Sequence, residues 1–351
     1  MASKGIRKVL EVSHEKGLDL LESSRIYSLL TERSARGQVI SEAPLVTIDP
    51  INSCNLKCRW CNAEYVIGKG EKRLSKDLLP GIIDYLALMK VEAVALSGGG
   101  EPLMHPDAGD VIERCLSHGM LVAISTNGVL IDEFMEPLSR CNWIGVSIDV
   151  GAGELMKALK SYDYFERIIE NISRLIDYSK RRGAALTKKP LGLGVMYRFL
   201  ACRENVQELC RAAEIARKTG CDNFFYRPAS VPWHRLHGDG KGIDEFTNEL
   251  DEQGKRAKKL ENGHFKVLGV SSNPEKPRGR CTDLLSTLII MPGEREDAFD
   301  IGLCYDRRGD NAVRLGRDLN AAETIGRLWG SPVHRSIYER LDRGACPDCT
   351  E

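Results

Sequence analysis

Six short apolar runs recur between residues 45 and 228, and amphipathic stretches of helical length separate them. The runs are LVTIDPI (Leu45 to Ile51), EAVALS (Glu92 to Ser97), LVAIST (Leu121 to Thr126), WIGVSID (Trp143 to Asp149), GLGVMYR (Gly192 to Arg198) and NFFYRP (Asn223 to Pro228). Each has strand length and few polar interruptions. Between them, LSKDLLPGIIDYLALM and YFERIIENISRLIDYSKR place apolar residues on one face of a helix. Strands alternating with helices imply crossover units, hence a parallel sheet with helices outside it. The expected fold class is α/β: a partial (β/α)6 TIM-like barrel over residues 44–242.

The flanks read differently. Residues 1–43 form an N-terminal helical segment, with Val9, Leu10, Leu18, Leu21, Leu29 and Leu30 at near-helical spacing. After residue 242 the alternation stops, and 243–280 reads as a helical and strand linker region ending in the Pro- and Gly-rich SSNPEKPRGR. Residues 281–351 form a separate, small, cysteine-bearing α+β unit.

Composition narrows the function classes. Lys plus Arg and Asp plus Glu both number 50 in 351 residues, so no overall field draws the chain to nucleic acid or an anionic membrane. The basic stretch SKRRGAALTKKP lies before the fifth strand, at the end of the barrel away from the active face. Lys180, Arg181, Arg182, Lys188 and Lys189 are therefore expected to be a solvated surface. The amino terminus carries Glu11, Glu15 and Asp19 and lacks the uninterrupted apolar core of a signal peptide. No segment approaches the roughly 18 apolar residues of a membrane span. A cytoplasmic protein without a membrane partner is the expectation. Twelve cysteines then need an explanation other than disulfides.

Three of them stand in NSCNLKCRWC, on the loop after the first strand: Cys54, Cys58 and Cys61. In this architecture chemistry gathers at the carboxyl ends of the strands, and a short loop can wrap three thiols around one centre. Structural zinc normally takes four protein ligands. A cubane of four irons held by three cysteines instead keeps one iron open to a chelating ligand.

Here the sequence resembles the radical S-adenosylmethionine superfamily. The signature stands as Cys54, Cys58, Trp60 and Cys61, with an aromatic before the third cysteine, and a second family motif stands as SGGGEPLMHPD after the second strand. The resemblance implies a [4Fe-4S] cluster on Cys54, Cys58 and Cys61 that binds S-adenosylmethionine, whose amino end is received at Gly99, Gly100 and Glu101. It further implies reductive cleavage to methionine and a 5′-deoxyadenosyl radical that removes hydrogen from an unactivated carbon, fed by a flavodoxin- or ferredoxin-type electron donor. Ser125 and Asn127 in STNG, and Ser147 and Asp149 in VSID, fall where similar enzymes place polar groups near ribose or substrate. Turn capping is the plainer role for those four.

The terminal unit carries Cys281, Cys304, Cys346 and Cys349, the last two as CPDC. Four ligands suit zinc or a fully coordinated iron-sulfur cluster. In context the unit resembles the SPASM and twitch auxiliary-cluster domains, including Trp329 and Ser331 before the final cysteines. Full SPASM domains carry seven cysteines, so the single-cluster twitch form, as in the dehydrogenase of butirosin biosynthesis, is the nearer match. The resemblance implies a second, auxiliary [4Fe-4S] cluster that accepts an electron.

Substrate residues are written less clearly. Arg227 ends the sixth strand, where a guanidinium can hold a carboxylate or phosphate. Trp233, His234 and His237 follow in a loop over the active face, and Cys202, just past the fifth strand, can serve as a hydrogen donor. Cys115, Cys141, Cys210 and Cys221 read as core residues. The expected reaction is oxidation of a polar small molecule such as a sugar, cyclitol or nucleotide derivative, favoured because 43 residues before the barrel are few for a leader-binding domain. Peptide maturation, redox-neutral epimerisation, and a lapsed enzyme kept as a cluster-bearing scaffold are the alternatives.

Overall fold

A computed structural model describes residues 45–184, 186, 194–229, 246–269, 282–285 and 287–341. The segment 1–43, Lys188, Lys189, Trp233, His234, His237, Cys281, Cys346 and Cys349 lie outside the described residues.

All six expected strands are present: β1 (Leu45–Ile48), β2 (Ala93–Leu96), β3 (Leu121–Thr126), β4 (Trp143–Ser147), β5 (Gly194–Ala201) and β6 (Asn223–Pro228). Each pairs in parallel with the next. Helices α1 (Glu64–Ile67), α2 (Leu78–Leu88), α3 (Ala108–Ser117), α4 (Met135–Arg140), α5 (Gly153–Lys160), α6 (Phe165–Arg182) and α7 (Leu209–Thr219) fill the crossovers. The sheet is open: its order among the described residues is β10-β9-β8-β1-β2-β3-β4-β5-β6-β7.

Two segments assigned by sequence to other units join this sheet. The linker region supplies α8 (Thr247–Lys258) and β7 (Lys266–Gly269), and β7 pairs in parallel with β6. The terminal unit supplies β8 (Leu288–Pro292), β9 (Phe299–Gly302) and β10 (Arg314–Leu319). Strand β8 lies parallel to β1, while β9 and β10 run antiparallel beyond it. Helices α9 (Glu323–Leu328) and α10 (Pro332–Arg340) follow. Ser331 caps α10 by accepting from the His334 N–H, and buried His334 meets the Trp329 ring and the Leu284 carbonyl (2.6 Å).

Strand alternation sorts the two faces of the sheet. Val46, Ile48, Val94, Ile124, Val146 and Val195 face the helices and are fully buried, each contributing about 1.5–3 kcal/mol. On the inner face, Ala123, Trp143, Met196, Phe225 and Leu268 belong to separate small apolar clusters. Further along the same strands that row continues as Ser125, Ser147, Arg198 and Arg227. The inner face is therefore apolar at one end and polar at the carboxyl end, where the site lies. Tyr226 packs on the opposite face, and a Cβ at Gly254 would come within 2.1 Å of its hydroxyl and one at Gly269 within 2.3 Å of its ring. These two glycines let α8 and β7 close on the sheet.

Helix α6 stops at Gly183, which takes the left-handed conformation (φ 56°). Lys180, Arg181 and Arg182 are exposed on its last turn. Among the described residues no helix is long and apolar enough to cross a membrane.

Candidate active site

The loop after β1 is built by stapling. Asn52 accepts from the Lys72 N–H (2.5 Å) and donates to the Val66 and Gly70 carbonyls (3.0 and 2.9 Å), drawing the two ends of residues 52–72 together. In the middle, the Lys57 and Arg59 N–H groups donate to the carbonyls of Lys160 and Leu159 at the end of α5, both at 3.1 Å. Cys58, between those two residues, is thus fixed to a helix by its neighbours. Trp60 packs part-buried against the core.

Cys54, Cys58 and Cys61 are free, half-buried thiols close enough to sense one another's charge. Burial pushes Cys54 up to about 12 and Cys58 up to about 11, and raises Cys61. Cys54 Sγ accepts from the Leu56 N–H (3.4 Å) and lies 3.9 Å from Asn127 Nδ2. Such thiols stay protonated unless a cation replaces the proton, which is the state a metal centre supplies. Among the described residues no three His, Cys, Asp or Glu groups are set to hold a single metal ion. The three cysteines sit on one short loop, close enough to feel one another's charge, and are a donor set that a cluster with three cysteine ligands would fit.

The glycine turn after β2 is pressed against this loop. Glu101 N–H donates to the Ser53 carbonyl (2.8 Å), and a Cβ on Gly100 would lie 2.2 Å from that same oxygen. Gly100 is therefore required by backbone contact between two loops. A Cβ on Gly99 would meet only ordinary contacts with Val66, Asp49 and Asn52. Gly99 borders a small cleft shared with Asp49, Asn52, Glu294 and Arg314.

Glu101 is buried, and both of its oxygens are engaged: Oε1 accepts from Thr126 Oγ1 (2.6 Å) and the Leu103 N–H (3.2 Å), Oε2 from the Asn127 N–H (2.7 Å). It ties the β2 turn to the β3 turn, while Asn127 reaches Asn55 Oδ1 (2.6 Å) in the cysteine loop. Burial raises the Glu101 carboxyl from 4.5 to about 7. The folded chain keeps this proton where the unfolded chain has lost it. The resulting stability is present below about pH 4.5 and is lost as pH rises through about 7. Glu101→Gln should flatten the stability slope across that window. It should also cost about 1–3 kcal/mol, because its amide N–H₂ faces donors whichever way it turns. Urea unfolding at pH 5, 6 and 7 measures both, and an unchanged slope would place the titration elsewhere.

Two buried ion pairs flank the cysteines, and sequence reasoning missed both. Asp149 takes a positive φ (65°), accepts from the Leu200 N–H (2.7 Å) and pairs with Lys160 Nζ at 2.6 Å; Lys160 also donates to the Ser147 carbonyl (2.6 Å). On the other side Arg308, from the terminal unit, pairs with Asp49 through Nε (2.5 Å) and Nη2 (3.4 Å). Lys160 lowers Cys58 and Arg308 lowers Cys61, against the larger effect of burial.

The other expected residues are distributed around this centre. Ser125 accepts from Arg198 (2.7 Å), a residue not singled out from sequence although it follows the same inner row. Arg227 is part-exposed at the end of β6, in register with Leu200. Cys202 lies beside Glu204, which pairs with Arg59 of the cysteine loop (2.6 Å), and burial pushes its thiol up to about 11. Cys304 is half-buried on a loop that reaches β1: the next residue, Tyr305, bonds Thr47 (3.2 Å) and its carbonyl accepts from Asn62 (3.5 Å). Cys115, Cys141, Cys210 and Cys221 are buried.

Residues 48–188, which hold the cysteine loop, the glycine turn and the Lys160–Asp149 pair, match the family described as the Radical SAM superfamily. The chain carries a radical SAM domain. Among its relatives are a probable GTP 3′,8-cyclase of Methanocaldococcus jannaschii, 29% identical over 172 residues (48% of this chain and 53% of the relative), and the mycofactocin maturase MftC of Mycolicibacterium smegmatis, 30% identical over 223 residues (61% and 50%). The chain thus spans about half the length of these relatives. The fold resembles that of Streptococcus suis SuiB bound to S-adenosylmethionine, with TM-score 0.65, 17% identity, and coverage of 89% of this chain and 71% of SuiB. It also resembles anSMEcpe with bound AdoMet, with TM-score 0.61, 14% identity, and coverage of 84% and 82%.

Proposed function

We propose that this radical SAM enzyme holds a [4Fe-4S] cluster on Cys54, Cys58 and Cys61 and binds S-adenosylmethionine at the cluster's open iron. The supporting observation is the cysteine loop itself: three desolvated thiols, fixed by backbone bonds to α5 and facing the glycine turn, within the segment that matches the family. When bound, the cluster and S-adenosylmethionine supply reductive cleavage to a 5′-deoxyadenosyl radical; the protein supplies position and exclusion of water. Gly99 borders the cleft shared with Asp49 and Asn52, and Asn127 is held by Glu101 with its amide 3.9 Å from Cys54 Sγ. Ser125, Ser147 and Arg227 fall on the polar carboxyl end of the inner face, where a substrate bearing an acidic or hydroxyl group would be gripped.

The favoured reaction is oxidation of a polar substrate, with an auxiliary cluster on Cys281, Cys304, Cys346 and Cys349 taking the second electron. Peptide modification is the second possibility, favoured by the similarity to MftC and by a fold that SuiB shares while bound to its precursor peptide SuiA. Anaerobic reconstitution followed by dithionite and S-adenosylmethionine should yield 5′-deoxyadenosine and methionine in equal amounts. Iron incorporation without 5′-deoxyadenosine would reduce the protein to a cluster-bearing scaffold.

A further inference from the structure

Lys160 is 1% exposed, and its ammonium has two partners, the Asp149 carboxylate and the Ser147 carbonyl, both at 2.6 Å. A buried ion pair adds little to stability compared with apolar residues of the same volume. Its position next to the cysteine loop gives it another use. The Lys160 carbonyl accepts from the Lys57 N–H and the Leu159 carbonyl from the Arg59 N–H, so the helix end that carries the charge is bonded to the residues on both sides of Cys58. Both charges of the pair are buried beside that loop, so water does not screen either of them from a centre held there.

We infer that the Lys160–Asp149 pair sets the reduction potential of the cluster on Cys54, Cys58 and Cys61, Lys160 raising it and Asp149 restraining it. This rests on the cluster assignment above. Adding one electron makes a cluster more negative, and nearby net charge is one of the levers on its potential. A buried cation stabilises the reduced form; a buried carboxylate opposes it. Lys160 acts through its field and through loop geometry, so it is a positioning residue that need not touch S-adenosylmethionine.

The field makes the two partners opposite in sign, whereas loosening the loop would move both variants the same way. Lys160→Met should make reduction of the reconstituted cluster at least tenfold less favourable, a fall of about 59 mV for one electron. Asp149→Asn should raise the potential. The double variant, Lys160→Met with Asp149→Asn, removes both charges of the pair and should lie between the two single variants. Redox titration followed by the reduced-cluster electron paramagnetic resonance signal, without S-adenosylmethionine or substrate, reads all three. Opposed shifts support the inference; should one single variant not fold, the double variant supports it by lying above Lys160→Met or below Asp149→Asn, whichever of the two folds. Shifts in one direction, or potentials equal to wild type, overturn it. A wild-type protein with no reducible cluster would instead overturn the cluster assignment.

Discussion

Arg308→Met should destabilise the chain by about 3–5 kcal/mol, the cost of leaving one partner of a buried ion pair alone. Asp49 is fully buried at the end of β1, and two of the guanidinium's nitrogens face its carboxylate. A third nitrogen donates to the Tyr305 carbonyl (2.5 Å), so methionine would orphan that acceptor too. Methionine keeps the apolar stem, which confines the loss to the charge and its hydrogen bonds. Combining Arg308→Met with Asp49→Asn should recover most of the loss, since no uncompensated charge remains. Urea unfolding of the four proteins in the cycle gives the coupling directly. A single-variant cost below about 0.5 kcal/mol would mean that water reaches Asp49 and that the terminal unit is not anchored to β1 by this pair.

That pair also shows where sequence reasoning stops. The six barrel strands were legible because each is a compact apolar run bounded by turn residues, and the cysteine loop because C-x3-C-x2-C has few other uses. Arg308 stands in YDRRGDN, a charged run that reads as solvated loop; only β8 lying beside β1 brings it onto Asp49. Nothing local in LIIMP says which strand it will join. Lys160 ends an amphipathic helix, where a lysine normally complements the helix dipole in water. Its burial comes from the cysteine loop folding over the end of α5. Glu101 was read as a ligand-facing carboxylate by resemblance, and its three internal donors come from β3 and its own turn, contacts that no spacing records. Long-range pairing, in each case, decides whether a charged side chain is surface or centre.

The triple variant Cys54→Ala, Cys58→Ala and Cys61→Ala should form no 5′-deoxyadenosine yet keep about four irons and four sulfides per chain after anaerobic reconstitution. Loss of the product follows from removing every thiol that fixes the first cluster. Retention of iron follows only if Cys281, Cys304, Cys346 and Cys349 hold a second one. Cys304, the one of the four among the described residues, precedes Tyr305, which hydrogen-bonds Thr47 on β1 and Asn62 beside Cys61. Four thiolates leave no iron free to bind substrate, so a cluster there would carry electrons, and a substrate radical that surrenders one more electron to it leaves as an oxidised product. Loss of essentially all iron would remove that acceptor. The reaction would then need a hydrogen atom returned to the substrate radical, and Cys202 becomes the group to test, because burial keeps its thiol protonated up to about pH 11 and its neighbour Glu204 is bound to Arg59 of the cysteine loop. The iron count of one variant thus separates net oxidation from a redox-neutral reaction before any substrate is known.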